Sequence, residues 1–545
     1  MALAPLRLDG VVPYPPEVAR TYRERGYWTG QTHSGMLLET IDRAPDSVAV
    51  IDGNGAGHAP LTYAELGERV LRLAGGFSAA GLERGDRVVV HLPNIPEFIE
   101  TVFALWHIGV LPVFALPAHR RTEIEYFIEF SGARGYVTAD RIDQTDLVDM
   151  AEDLRRTVAH LDHVWIVGTG GDDRRDTFHR LRDHTAFDRV PRCLPEDPAF
   201  LQLSGGTTGR PKMIPRTHDD YLYSVRGSNE ICAIAAGTVQ LVVLPASHNF
   251  TMSSPGILGA LMAGGTVVLA PNGSPDVAFP LIERHRVTQT QLVPPLALVW
   301  LNSGLKDRHD LSSLQVLQVG GAKFSEEAAR RVRPELGVQL QQVFGMAEGL
   351  VNYTRLDDDE NRISSTQGLR ISPDDEVRVV DDDDTDLGTG VPGNLLVRGP
   401  YTIRGYFRAP EVNRKNFTGD GFYRTGDVVV MDELGYLTVK GRSKDQINRG
   451  GEKISPEEVE NLLLAHGGIH DASVVGIPDE ALGERSKVYI IRRDGADETE
   501  LGVLGVKRFL RDRGLAAFKI PDVVEFVTEF PHTAVGKISK RDQRT

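Results

Sequence analysis

Residues 204–212 read SGGTTGRPK, three glycines, a serine, two threonines and a lysine in nine positions. Glycine lets backbone N–H groups close on phosphate oxygens, and hydroxyls add further donors. Ser204, Gly205, Gly206, Thr207, Thr208, Gly209 and Lys212 together have the make-up of a phosphate cradle. A P-loop needs G-x-x-x-x-G-K-[ST]. Here Gly205 and Gly209 bracket three residues, and Arg210 and Pro211 separate Gly209 from Lys212. The cradle is therefore not that of a P-loop kinase or GTPase. The competing reading is a plain surface loop, but linkers seldom combine Thr-Thr with flanking glycines and a lysine.

Such a loop needs a scaffold, and the chain reads as α/β. DRVVVHLPN (86–94) is a β-branched run that ends in a turn. IPEFIETVFALWHIG (95–109) puts Ile95, Phe98, Ile99, Val102, Phe103 and Trp106 on one helical face, and VLPVFAL (110–116) is a strand again. A strand–helix–strand unit of this kind implies parallel strands. The alternation recurs in QLVVLPA, SPGILGALMAGG and TVVLAP, then in LQVLQVGGA, SEEAARRVRPEL and VQLQQVFG. It predicts mixed or parallel sheets covered by helices. Composition shifts near residue 440. Residues 1–440 form the expected large domain, 441–444 a hinge, and 445–545 a small mobile α+β lobe. The acidic run Asp381–Asp384 reads as a solvated turn, since four adjacent carboxylates cannot converge on one ion.

The 545 residues are 41% hydrophobic and 25% charged, as in ordinary soluble proteins, with formal net charge −15. Nucleic-acid and membrane-surface binders need a basic face, so neither is expected as a partner. The N-terminus has no signal-peptide core, and no run of about 20 apolar residues could span a bilayer. Two cysteines, Cys193 and Cys232, make no disulfide framework and imply buried thiols in a reducing cytoplasm.

Four further stretches follow the loop in order: FGMAEG (344–349), YRTGD (423–427), GRSKDQINRGGEKISPEEVE (441–460) and GKISK (536–540). Together the five resemble the adenylate-forming superfamily of acyl-CoA synthetases, nonribosomal-peptide adenylation domains and luciferases. LPASHNFTMSSPG (244–256) and QQVFGMAEGLVNYTRLDD (341–358) look most like its stand-alone aryl-acid AMP ligases of siderophore biosynthesis.

The resemblance implies roles. The loop would hold the β- and γ-phosphates of ATP while a carboxylate attacks the α-phosphorus. Lys537 would lie over the carboxylate and α-phosphate oxygens, and Arg442 would reach the nucleotide. Glu348 would ligate Mg²⁺, as a hard cation bridging a carboxylate to phosphates. Asp427 would accept both ribose hydroxyls. Ala347 stands where much of the superfamily has threonine. Gly320, Gly321 and Ala322, with Val343, Phe344 and Gly345, would line the adenine and aryl slot. His248 and Phe250 flank Asn249, which occupies the place where amino-acid-activating relatives carry an aspartate for the substrate ammonium. A neutral amide there suits an aromatic acid. Asn249 would face its 2-hydroxyl, Ser254 its 3-position and Val351 the ring edge. The rival reading of Ser254 is a helix N-cap before PGILGALM.

Lys444 matches the family's hinge residue, and NRGGEK (448–453) would border a thiol tunnel. The chain ends five residues after Lys540, so a separate phosphopantetheinylated aryl carrier protein is the expected acceptor. The expected reaction is activation of 2,3-dihydroxybenzoate with ATP and Mg²⁺. The alternatives are a salicylate-AMP ligase, an aryl-CoA ligase, and a non-catalytic binding relative.

Overall fold

The computed structural model describes the chain except residues 1–2, 56–58, 169–175, 205–210, 443–444, 450–451, 480–481, 494, 497–500, 514, 534–537 and 545. The apolar runs in the first 370 residues build two sheets. In one, the strands Val48–Asp52, Thr266–Leu269, Val239–Val242, Gln289–Leu292, Val316–Gly320 and Gln339–Gly345 lie side by side and parallel. Short antiparallel strands close both its edges. In the other, Pro198–Leu203, Leu111–Phe114, Arg87–His91, Gly135–Ala139 and His163–Val167 are parallel, with Met213–Thr217 antiparallel at one edge. The strand–helix–strand unit expected from residues 86–116 is present, with Arg87–His91 beside Leu111–Phe114 in parallel register.

Its helix, Pro96–His107, departs from the expected one-sided stripe, because every residue of it except Glu97 is buried. The helix belongs to a core that draws side chains from both sheets, among them Val88 and Phe114 from one and Val50 and Val267 from the other. Glu100 is buried in that helix but is not bare: Arg69 and Arg182 both donate to its carboxylate. A buried charge is tolerated when paired in this way.

An antiparallel sheet follows, in the order Glu376–Val380, Gly393–Arg398, Tyr423–Met431, Leu437–Arg442. The acidic run lies on its first turn, where Asp381 accepts from the N–H groups of Asp383 and Thr385 at 2.9 Å each. Beyond Arg442, strands from Ile447 onward form a separate sheet with the helices Pro456–Leu464 and Val503–Asp512 and their own apolar core. Both cysteines are buried free thiols. Among the described residues no helix is long and apolar enough to cross a membrane.

Candidate active site

Parallel strands leave a crevice beyond their carboxyl ends, the usual place for a ligand in such sheets. Three sheets meet here around a cavity of about 500 Å³. Leu203 and Ser204 reach it from one parallel sheet, Gly321, Val343 and Gly345 from the other, and Asp427 and Arg442 from the antiparallel sheet. Residues about 240 apart in sequence thus share one wall-to-wall space.

The two ends of the expected phosphate loop are tied to each other. The Ser204 N–H donates to the Lys212 carbonyl at 2.9 Å, and the Lys212 N–H donates to Ser204 Oγ at 3.0 Å. Gly205, Gly206, Thr207, Thr208 and Gly209 lie outside the described residues. So do Lys444 and Lys537, and part of NRGGEK.

Lys212 projects its ammonium over the Tyr406 ring, 4.6 Å from the centroid, a cation–π arrangement. Burial lowers its pKa; the nearby Glu348 charge opposes this and Arg442 adds to it. Glu348 accepts from the Tyr406 hydroxyl at 2.7 Å, and that hydroxyl is 2.9 Å from the Tyr423 hydroxyl. Burial, then the Glu348 charge, raise the Tyr406 pKa, so the phenol remains a donor. The second oxygen of Glu348 accepts from no described residue, and the side chain borders the cavity. Among the described residues no group of three His, Cys, Asp or Glu side chains could cage a metal unaided. One half-free carboxylate beside a phosphate loop suits Mg²⁺, which keeps water and phosphate oxygens in its shell.

Asp427 and Arg442 are cross-strand partners, with Arg442 Nε 3.0 Å from Asp427 Oδ1. The Asp427 charge raises the Arg442 pKa against the opposing effect of burial. This pair sits where the antiparallel sheet ends.

His248, Asn249, Phe250, Ser254 and Val351 also border the cavity. His248 caps the short helix Asn249–Ser253, its Nδ1 accepting from the Phe250 N–H at 3.3 Å. Gly320, expected in the slot, does not line the cavity: a Cβ there would lie 2.8 Å from the Val343 carbonyl oxygen and 3.0 Å from Phe250 Cζ, so its missing side chain admits close packing of its neighbours. Gly321 lines the cavity at φ +81°, a conformation that favours glycine. Ser254 is not a helix N-cap. It ends the helix Asn249–Ser253, and the next helix, Gly256–Ala263, is preceded by Pro255 with no side-chain cap.

Two further expected lining residues stand elsewhere. Phe344 alternates with Val343 along its strand and packs against the antiparallel-sheet core, and Ala322 is exposed. Neither lines the cavity.

The sequence reading missed Arg216, Tyr406 and Tyr423, all at the cavity. Arg216 is buried and fully engaged. It donates to Asp220 Oδ1 at 2.8 Å, to the Ala347 carbonyl at 2.8 Å and to the Tyr401 carbonyl at 3.1 Å. Its only sequence signal is an aspartate four residues on, a helix-spaced ion-pair partner.

A family model for AMP-binding enzymes matches residues 37–407, and one for the AMP-binding enzyme C-terminal domain matches residues 458–537. The 2,3-dihydroxybenzoate-AMP ligase of Bacillus subtilis is 54% identical, over 98% of this chain and 97% of its own length. The salicyl-AMP ligase / salicyl-S-ArCP synthetase of Mycobacterium tuberculosis is 44% identical, over 98% of this chain and 94% of its own. The apo structure of MbtA from Mycobacterium smegmatis is 41% identical, with a TM-score of 0.74 over 98% of each chain. With a matched phosphate-loop region, a cavity at the carboxyl ends of two parallel sheets and a matched C-terminal lobe, the chain belongs to the AMP-binding enzyme family.

Proposed function

We propose that the chain is a 2,3-dihydroxybenzoate-AMP ligase that passes its aryl group to the thiol of a separate carrier protein. In the first half-reaction an aryl carboxylate oxygen bonds to the α-phosphorus of ATP. The bond from that phosphorus to the β-phosphate oxygen breaks, and pyrophosphate leaves. Two anions meet in this step, so catalysis is mostly charge neutralisation and alignment. Lys212 and Arg442 supply positive charge at the cavity, and Lys537 is assigned to the carboxylate and α-phosphate oxygens. Asp427 is assigned to the ribose. Magnesium held by Glu348 would neutralise phosphate charge. In the second half-reaction a thiolate bonds to the acyl carbon and AMP leaves.

One observation carries the substrate assignment. The neutral amide of Asn249 and the hydroxyl of Ser254 border the same cavity as Glu348, Lys212 and Asp427. A hydroxylated aromatic acid fits that set; an amino acid would leave its ammonium without a carboxylate. A second reading, salicylate, is supported by the 44% identical mycobacterial relative. Ser254 favours the first, because it borders the cavity and its oxygen, although the hydroxyl is engaged with Tyr353, can still accept from a 3-hydroxyl.

ATP–pyrophosphate exchange with 2,3-dihydroxybenzoate, salicylate and benzoate tests the reading. Activity in that descending order is expected. Lys537→Ala should abolish most exchange yet leave thiol transfer from supplied aryl-AMP largely intact, measured by single turnover. Equal loss in both halves would remove Lys537 from its assigned place.

A further inference from the structure

Tyr221 lies behind the aryl wall, on the helix His218–Ile231, and does not border the cavity. It is completely buried. Its ring is held from two sides, edge-on to Phe200 at 4.6 Å and beneath the Arg216 guanidinium at 4.7 Å. Arg216 cannot drift, being anchored to Asp220, Ala347 and Tyr401. The Tyr221 hydroxyl is thereby aimed at Asn249 and donates to its Oδ1 at 2.8 Å. Ser253 hydrogen-bonds the same phenol.

An amide has one acceptor oxygen and one NH₂ with two donors. With Oδ1 turned back to Tyr221, Nδ2 is left over. It donates to no described residue, although Asn249 itself borders the cavity. We propose that Tyr221 is a positioning residue that locks the Asn249 amide with its NH₂ toward the substrate, so that the site selects aryl acids whose 2-substituent accepts a hydrogen bond. The inference rests on the aryl-acid reading above.

The chemistry separates two near-isosteric acids. In a 2-hydroxybenzoate the hydroxyl proton bonds internally to the carboxylate, and the phenolic oxygen remains an acceptor for Nδ2. In 2-aminobenzoate one N–H bonds internally and the other points outward, while the nitrogen lone pair is delocalised into the ring. That acid sets a donor against a donor. Removal of the Tyr221 hydroxyl frees the amide to rotate and offer Oδ1 instead.

The experiment is pyrophosphate exchange by wild type and Tyr221→Phe with 2-hydroxybenzoate and 2-aminobenzoate. The readout is the ratio of the two kcat/KM values. Wild type should favour the hydroxy acid, and Tyr221→Phe should lower the ratio about tenfold, the worth of one mismatched hydrogen bond. A purely structural role for Tyr221 would depress both acids alike and leave the ratio unmoved. That result, in a variant that still turns over, would overturn the inference and leave the aryl-acid reading standing. A wild type inert toward every 2-hydroxybenzoate would overturn both.

Discussion

A single hydroxyl bears on which aryl acid is preferred. Ser254 is buried, and its side chain hydrogen-bonds the Tyr353 phenol, which in turn donates to Ser228 Oγ at 2.9 Å. The serine is thus satisfied before any substrate arrives. Salicylate, which lacks a 3-hydroxyl, would not strand it, so the large penalty of an unpaired buried donor does not apply. What remains is the net value of one added hydrogen bond, about 1 kcal/mol. The preference for 2,3-dihydroxybenzoate over salicylate should accordingly be about tenfold or less in kcat/KM. Ser254→Cys should narrow it and raise relative salicylate use. A ratio indifferent to that change would detach Ser254 from the 3-position. Asn249→Asp should weaken every aryl acid, because it brings a second negative charge toward the carboxylate.

Elements decide which parts can move. The strand Leu437–Arg442 ends the antiparallel sheet, and Ile447–Arg449 opens the next. Among the described residues, few polar contacts span the junction. Lys323 Nζ donates to the Val439 carbonyl at 2.7 Å and lies 3.6 Å from Glu457 Oε2, and Ser455 Oγ donates to the Lys440 carbonyl at 2.9 Å. Lys444 falls between the two strands, so Lys444→Pro, which fixes φ, should stop the lobe from turning. Pyrophosphate exchange should survive and carrier acylation should fail; acylation at the wild-type rate would misplace the hinge. The strand–helix alternation that builds this scaffold is readable in sequence because period 3.6 and β-branched runs report local burial. The burial of Pro96–His107 on nearly every side is not, since a second sheet covers its far side only after folding. Arg216 stays hidden for a similar reason. Two of its three acceptors are carbonyls, of Ala347 and Tyr401, more than 130 residues away, and a carbonyl carries no sequence signature. Phe344 shows the limit of motif reading, because strand alternation sends it away from the cavity that its neighbours face.

At the scale of the molecule, folding buries titratable groups of both kinds, and their pH effects oppose each other. Burial lowers the pKa of His91 and His218 to about 3 and of His119 to about 4, and holds His33 well down beside His218. Unfolded histidine titrates near 6.5, so between these values only the unfolded chain takes up protons, and stability is lost as pH falls. Burial raises Asp375 and Asp471 to about 7 and Asp219 to about 6. Unfolded aspartate titrates near 3.9, so in that interval the folded chain holds the extra protons, and stability is lost as pH rises. From pH 6.5 to about 4 the two sets largely offset. Below about 4 the raised aspartates are protonated in both states and contribute no slope, while His91 and His218 still do. The urea midpoint should therefore be nearly level from pH 6.5 to 4.5 and drop steeply below 4. His91→Gln removes one proton-uptake site and should flatten that acid limb, although it also disturbs the 2.9 Å contact with the Tyr136 hydroxyl and lowers the plateau. A midpoint that fell steadily from pH 6.5 would mean that the buried aspartates are ionised in the folded state. Asp375→Asn would then leave the pH slope unchanged, whereas a protonated Asp375 predicts that this variant gains on wild type as pH rises from about 4 to about 7.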